Sequence, residues 1–283
     1  MPHWTGFDLP GRALGRSESL GYARACLPAG RHDEREFLAL QIAVMTAMDD
    51  AFESLRVPLD ATIVERLVPW RVVKRSKLPV EFIAIGQALA ALDRRLLELV
   101  AGDAPRRAAV RAWWRVQAEQ QVLAFRGEAD WRLRGTQPSL PTYLKVSARS
   151  IGVDWTAATL IALDPDASVP GPRSIVWKAI DSIARAIRLA NDLHDPERER
   201  GEGKPQWLLL RASALMRRGL SETTAEQQAH AELRSATRRE TERARRLIHT
   251  VRYVGASEQL RDCFTGLLGI GLAVYAPDLT AAA

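Results

Sequence analysis

The sequence predicts an all-α protein. Three observations carry that expectation: apolar residues return with a 3.6-residue rhythm along most of the 283 residues, Gly and Pro punctuate the rhythm, and no alternating Val/Ile/Thr run flanked by turns suggests a strand. Hydrophobic residues make up 47% and charged residues 26%, a globular profile. A chain of this length buries a core large enough to enclose a cavity.

The helical segments follow in order. Residues 36–55 are apolar at Phe37, Leu40, Val44 and Met48, and stop before Pro58. Residues 79–100 form a second amphipathic segment, ended by Gly102 and Pro105; residues 106–125 form a third, with Gly127 as its stop. Residues 142–163 read as a helix with a weak point at Ser150-Ile151-Gly152. After a Pro-Gly-Pro start comes a long helix over residues 173–194. Residues 204–218 follow a Gly-rich charged loop, residues 221–254 run long, and residues 257–275 close the chain before Pro277. No repeat, low-complexity linker or composition shift divides the chain, so residues 1–283 read as one helical domain.

The formal charge is +6, much of it Arg spread along the chain. Residues 238–246 interleave Arg with Glu240 and Glu242, the pattern of a solvated helix face. A basic balance suits an anionic ligand, and charge alone does not choose between nucleic acid and a diphosphate. Cys26 and Cys263 show neither metal-ligand spacing nor a disulfide framework, which makes a reducing cytoplasm the expected location. The first residues lack an apolar signal core, and no apolar run approaches membrane-spanning length.

Two polar clusters stand out. Asp49-Asp50-Ala51-Phe52-Glu53 ends the first apolar helix, with Asp49 and Glu53 one turn apart on one face. Like charges at that spacing repel, and solvent or a cation can offset the repulsion. An exposed acidic helix end is the commoner role for such a pair. In the second cluster Asn191, Asp195 and Glu199 are spaced i, i+4, i+8, each about 40° further round a continuous helix. An amide oxygen and two carboxylates so aligned can ligate one hard cation. Arg188 lies three residues before Asn191, on the same side, placed to grip a phosphate. Pro196 disfavours helical geometry at Asp195, so the helix is expected to kink or end there. That leaves Asn191 secure and Glu199 open.

Taken together, in this order, the clusters resemble the signature of class I terpene synthases. Asp49-Asp50-Ala51-Phe52-Glu53 is similar to the family's DDxxD/E motif, and residues 191–199 to its (N/D)DxxSxxxE motif, with Asp195 at the Ser/Thr position. Arg188 leading Asn191-Asp192 resembles the family's Arg-x-x-Asn-Asp. Glu128-Ala129-Asp130-Trp131 followed by residues 138–144 resembles its Trp loop, which leads into a helix with a central break; Ser150-Ile151-Gly152 falls at that break. The short chain and the Asn-Asp-Leu-His run resemble bacterial labdane-related, kaurene-synthase-like enzymes most. Departures are visible too. Val274-Tyr275 stands where many members carry Arg-Tyr, and Ser147 stands where bacterial sesquiterpene cyclases carry a diphosphate-sensing Arg, with Lys145 and Arg149 nearby.

The resemblance implies a helical bundle around a central apolar cavity and a magnesium-dependent lyase. It implies metal ligands at Asp49, Asp50, Glu53, Asn191, Asp195 and Glu199, holding three Mg²⁺. It places Arg188 on the diphosphate and Ile151 and Tyr275 against the substrate, with Asp49, Arg188 and Asn191 catalytic. The expected reaction ionises a C20 diphosphate, copalyl-type or geranylgeranyl, and cyclises the cation; the alternative is a sesquiterpene cyclase acting on farnesyl diphosphate. The family also admits a homodimer. Trp113, Trp114, Phe125, Trp155 and Trp177 are candidates by type for a cation-facing wall, ordinary core packing being the commoner role for each. His194 and His249 lack partner spacing and read as structural or exposed.

Two rivals define the contrast. A prenyl chain-elongating transferase shares fold and metals but typically carries a pair of DDxxD motifs, whereas the second motif here is Asn-led. A non-catalytic basic helical binding protein would explain the charge of residues 234–246 and leave the paired clusters unexplained.

Overall fold

In a computed structural model, residues 16–59, 62–71, 78–194, 196–201, 203–251 and 257–277 are described. Among them the regular structure is helical, with no strand. The first helices are α1 (Arg16–Cys26), α2 (His32–Ser54), α3 (Ile63–Leu67), α4 (Val80–Leu99) and α5 (Ala104–Arg134). Then come α6 (Leu140–Ser150), α7 (Val153–Leu163), α8 (Ile175–His194) and the short α9 (Pro196–Gly201). The chain continues through α10 (Trp207–Met216), α11 (Glu222–Val251) and α12 (Glu258–Tyr275). None of these helices is long and apolar enough to cross a membrane.

Local chemistry sets the ends. Asp103, Ser139 and Ser257 each accept a hydrogen bond from a first-turn amide, of Arg106, Thr142 and Leu260, and so cap α5, α6 and α12. The stop expected at Gly127 does not occur. The helix runs on to Gly135, whose φ of 62° closes it in the left-handed conformation. Gly127 instead serves packing: a Cβ there would lie 3.3 Å from Val146 on α6. The expected break at Ser150-Ile151-Gly152 is real. Gly152, at φ 81°, separates α6 from α7, and a Cβ on it would crowd Met45 of α2 at 2.9 Å. The kink expected at Pro196 falls at Asp195, which lies outside the described residues; the flanking residues, His194 at the end of α8 and Pro196 at the start of α9, are both helical.

Six helices form a closed ring. α2 packs on α5, α5 on α6, α6 on α8, α8 on α12, α12 on α1, and α1 back on α2. α7 packs inside this circuit against α2, α5, α8 and α12. It is nearly all apolar and buried, as an inner helix must be. α11 covers the outside of α8, and α10 packs on α11. The charged face of residues 238–246 is largely exposed on α11 and carries Arg243–Glu240 and Arg246–Glu242 pairs, the solvated face its pattern predicted. Cys26 and Cys263 are free and buried.

α1 and α3 were not anticipated. α1 completes the ring at Gly266 of α12, where a Cβ would overlap the Ala25 carbonyl oxygen, a backbone atom unable to swing aside. Gly266→Ala is therefore expected to lower stability by about 3 kcal/mol, the upper part of the overpacking range. Thermal unfolding checks this; a melting temperature equal to that of the parent would show that α1 does not need this close approach.

Candidate active site

The two sequence clusters stand on opposite walls of the ring, on α2 and α8. Between them opens a cleft of about 130 Å³. α2 contributes Asp49, Phe52 and Glu53; α5 contributes Phe125, Glu128, Ala129 and Arg132; α8 contributes Arg188 and Asn191. Ser150 and the loop residues Lys204 and Pro205 complete the lining. Asp49, Glu53, Arg188 and Asn191 therefore come together, as their spacing suggested. Asp50 is on α2 but is not among the lining residues. Asp195 lies outside the described residues, as does the side chain of Glu199, whose backbone belongs to α9.

One turn deeper the chemistry changes. A second pocket of about 140 Å³ is lined by Ile42 and Met45 of α2, Ile151 and Gly152 of the break, and Ile187 of α8. Tyr22 and Cys26 of α1 and Tyr275 of α12 also line it. Met45 precedes Asp49 by four residues and Ile187 precedes Asn191 by four, so each wall passes from apolar to polar within one helical turn. Tyr275 also packs edge-on against His194, rings 6.0 Å apart, next to the end of the second cluster.

Arg188 is held rigidly. Its Nε and Nη2 donate to the Tyr143 hydroxyl at 2.9 and 2.6 Å, and Nη2 lies 2.8 Å from Asp192 Oδ1. Tyr143 in turn donates to Asp192, and the Trp207 amide donates to Asp192 Oδ2 at 3.3 Å. Trp131 packs 6.5 Å from the Tyr143 ring. Asp192, fully buried, is thus the anchor of Arg188. Arg188 Nη1 comes within 3.8 Å of Glu128 at the cleft. Asp192→Ala leaves the guanidinium buried without its counter-charge, an expected loss of about 3–5 kcal/mol in denaturant unfolding. An unchanged unfolding midpoint would remove Asp192 from this role.

Acid crowding governs the cleft's electrostatics. Asp49 opens onto the cleft and is otherwise walled in by protein. Burial first, then the charges of Glu53, Glu128 and Asp50, raise its pKa to about 8, with Lys204 opposing. An excess of carboxylate of this kind suits a hard divalent cation. Among the described residues no three of His, Cys, Asp and Glu are grouped to hold an ion unaided. The donor set fits an ion that takes one or two carboxylates and the Asn191 amide from the protein and completes its shell with water and phosphate oxygens.

Other expectations are redistributed. Trp114 and Trp155 are fully buried in an aromatic core, 5.3 Å apart, with Trp70 and Phe37 beside Trp114. Trp113 packs on Trp177 at 6.2 Å. Of the five aromatic candidates only Phe125 lines the cleft, stacked 6.0 Å from Phe52; Tyr22 and Tyr275 are the aromatics of the apolar pocket. Lys145 and Arg149 line a different, smaller pocket with Asp154 and Asp181, and Arg149 donates to Gln120, so neither reaches the cleft. Glu128, Arg132 and Lys204 were not singled out by sequence. Glu128 sat inside a recognised match but carried no spacing signal of its own.

Comparison with known proteins bears on the family and the fold. Residues 41–239 match the family described as terpene synthase family 2, C-terminal metal binding. No curated protein sequence matches significantly. The fold is similar to that of linalool/nerolidol synthase from Streptomyces clavuligerus in complex with 2-fluorogeranyl diphosphate: TM-score 0.64, 15% identity, 89% of this chain and 85% of that one. Abietadiene synthase from Abies grandis gives a TM-score of 0.69 at 14% identity, over 96% of this chain and 35% of that one. Isoprene synthase from grey poplar, Populus x canescens, gives 0.66 at 17% identity, over 94% and 50%. The chain thus spans half or less of those two plant enzymes.

Proposed function

From the premise that this chain belongs to terpene synthase family 2, and is therefore a terpene synthase, we propose that it is a class I diterpene synthase. It ionises a copalyl-type or geranylgeranyl diphosphate, cyclises the cation and releases pyrophosphate, with residues 1–283 acting as one catalytic domain. The observation that carries this reading is the stacking of an acid-and-amide cleft on an apolar pocket, each wall changing character within one turn of α2 and α8. A diphosphate head and a hydrocarbon tail need those two environments in that order.

Asp49, Glu53 and Asn191 would hold the divalent cations, joined by Asp50, Asp195 and Glu199 as the family motifs imply. The cations, Mg²⁺ and three in number on that resemblance, would neutralise the charge that develops on the departing diphosphate. Arg188 binds the same oxygens, its guanidinium already oriented by Tyr143 and Asp192, so little reorganisation is needed as charge develops. Ile151, Ile187 and Met45 keep water from the cation, and Tyr22 and Tyr275 offer π faces to it.

The C20 substrate is supported by α6. Ser147 is buried, and Lys145 and Arg149 face another pocket, so this helix brings no cation to the cleft, unlike the sesquiterpene pattern. The deciding experiment is incubation with Mg²⁺ and geranyl, farnesyl, geranylgeranyl and copalyl-type diphosphates, with products read by gas chromatography–mass spectrometry. Cyclic C20 hydrocarbon is expected. Turnover of farnesyl diphosphate alone establishes the sesquiterpene alternative, and no turnover of any of the four refutes the catalytic reading.

A further inference from the structure

Lys204 belongs to neither sequence motif, yet it lines the cleft and its loop is tied to both walls. It sits in the loop between α9 and α10, just after Gly203, whose φ is 69°. Its ammonium forms an ion pair with Glu53 of α2, 151 residues away in sequence. The far end of the same loop is fastened: Gln206 is fully buried, and the Trp207 amide donates to Asp192. The loop is thus a strap from the α8 wall to the α2 wall, where Lys204 pairs with Glu53.

The other cations of the cleft are committed differently. Arg132 donates Nη2 to the carbonyls of Phe52 and Leu55 at 3.2 and 3.0 Å. Arg188 is tied to Tyr143 and Asp192. The Phe52 and Leu55 carbonyls, Tyr143 and Asp192 are backbone or buried, and an arriving metal ion does not claim them; Glu128 lies further from Arg188, at 3.8 Å. Glu53, with which Lys204 pairs at the cleft, is the last carboxylate of the first acidic motif, which a hard cation does claim. A lysine is also the suitable residue for exchange, being a compact point charge on a flexible four-carbon stem with three rotatable donors.

We propose that Lys204 stands in for a metal cation on Glu53 in the metal-free chain, and moves to the diphosphate when divalent cations take Glu53. In the first state its ammonium offsets the crowding of Asp49, Glu53 and Glu128 and holds the walls together. In the second it is repelled by the ion on Glu53 and meets the strongest nearby anion, the diphosphate, in a charge-assisted contact. The proposal rests on the reading of the cleft as a diphosphate site and adds to it a residue outside both motifs, together with an order of events.

The test uses the full chain and its K204M and K204R variants, with circular dichroism to confirm folding. Mn²⁺ binding is measured by electron paramagnetic resonance without any phosphate; inorganic pyrophosphate binding is measured by calorimetry at saturating Mg²⁺. K204M is expected to bind Mn²⁺ about tenfold more tightly, because its competitor is gone, and pyrophosphate about tenfold more weakly. K204R restores pyrophosphate binding. K204M matching the parent in both measurements overturns the proposal, as does tighter Mn²⁺ binding with unchanged pyrophosphate affinity. A parent chain that binds neither probe overturns the reading of the cleft along with it. If K204M does not fold, K204Q takes its place in the same two measurements.

Discussion

Asp49→Ala and Asn191→Ala are each expected to lower magnesium-dependent diphosphate release by at least roughly 10²–10³-fold while helical circular dichroism stays unchanged. The size follows from what each group does. Departure of a diphosphate is limited by the charge developing on it, and removing one preorganised stabiliser of such charge commonly costs that much in kcat. Asp49 and Asn191 line the cleft from α2 and α8, so losing either weakens the hold of one wall on the ions. Neither is a core residue, and each is partly exposed at the cleft, so the fold has little reason to suffer. Glu199→Ala is expected to cost less than Asn191→Ala, because Pro196 disfavours helical geometry at Asp195 and so loosens the register between Asn191 and Glu199. Turnover retained in both alanine variants refutes the site; equal losses for Glu199 and Asn191 refute only the distinction drawn from Pro196.

Long helices and the two motif walls were legible because they rest on local rules. Phe37, Val44 and Met48 repeat at helical spacing, and Asp49 and Glu53 follow on the same rhythm. Gly152 acted as expected because φ above zero is a property of a single residue. Gly127 did not end its helix, because a glycine can serve close packing, here against Val146, as readily as a stop. What escaped the sequence is what depends on distant partners. Lys204 looked like part of a charged loop until the fold set it against Glu53. Asp192 looked like half of a metal motif, yet it is sealed against Tyr143 and Arg188. Trp114 and Trp155 were indistinguishable by type from cavity aromatics, and only their mutual packing assigns them to the core. Tyr22 lies on a helix rich in Ser, Arg and Gly, whose weak apolar rhythm gave no sign that it walls a pocket.

Divalent-cation affinity should rise steeply with pH, and the reason lies in the same crowding. With its pKa raised to about 8, Asp49 is protonated in the metal-free chain at neutral pH. A cation needs the carboxylate, so binding expels a proton. Well below that pKa each unit of pH costs about a factor of ten in apparent affinity, and about fiftyfold separates pH 8 from pH 6. The linkage to stability has a definite sign. The folded pKa lies above the unfolded one, so Asp49 contributes most to stability below about pH 4, and that contribution is lost as pH rises towards 8. The metal-free chain should therefore lose stability over the interval in which metal affinity improves, and added Mg²⁺ should raise the melting temperature more at pH 8 than at pH 6. Asp49→Asn should flatten the metal-free stability profile, since the amide carries no titrating proton. Mn²⁺ titrations at several pH values, with proton uptake or release followed in weakly buffered solution, check the chain of reasoning at each link. An affinity that does not change between pH 6 and pH 8, with no proton released, would mean that the acids of α2 are already ionised and that burial and neighbouring charge do not govern this cleft.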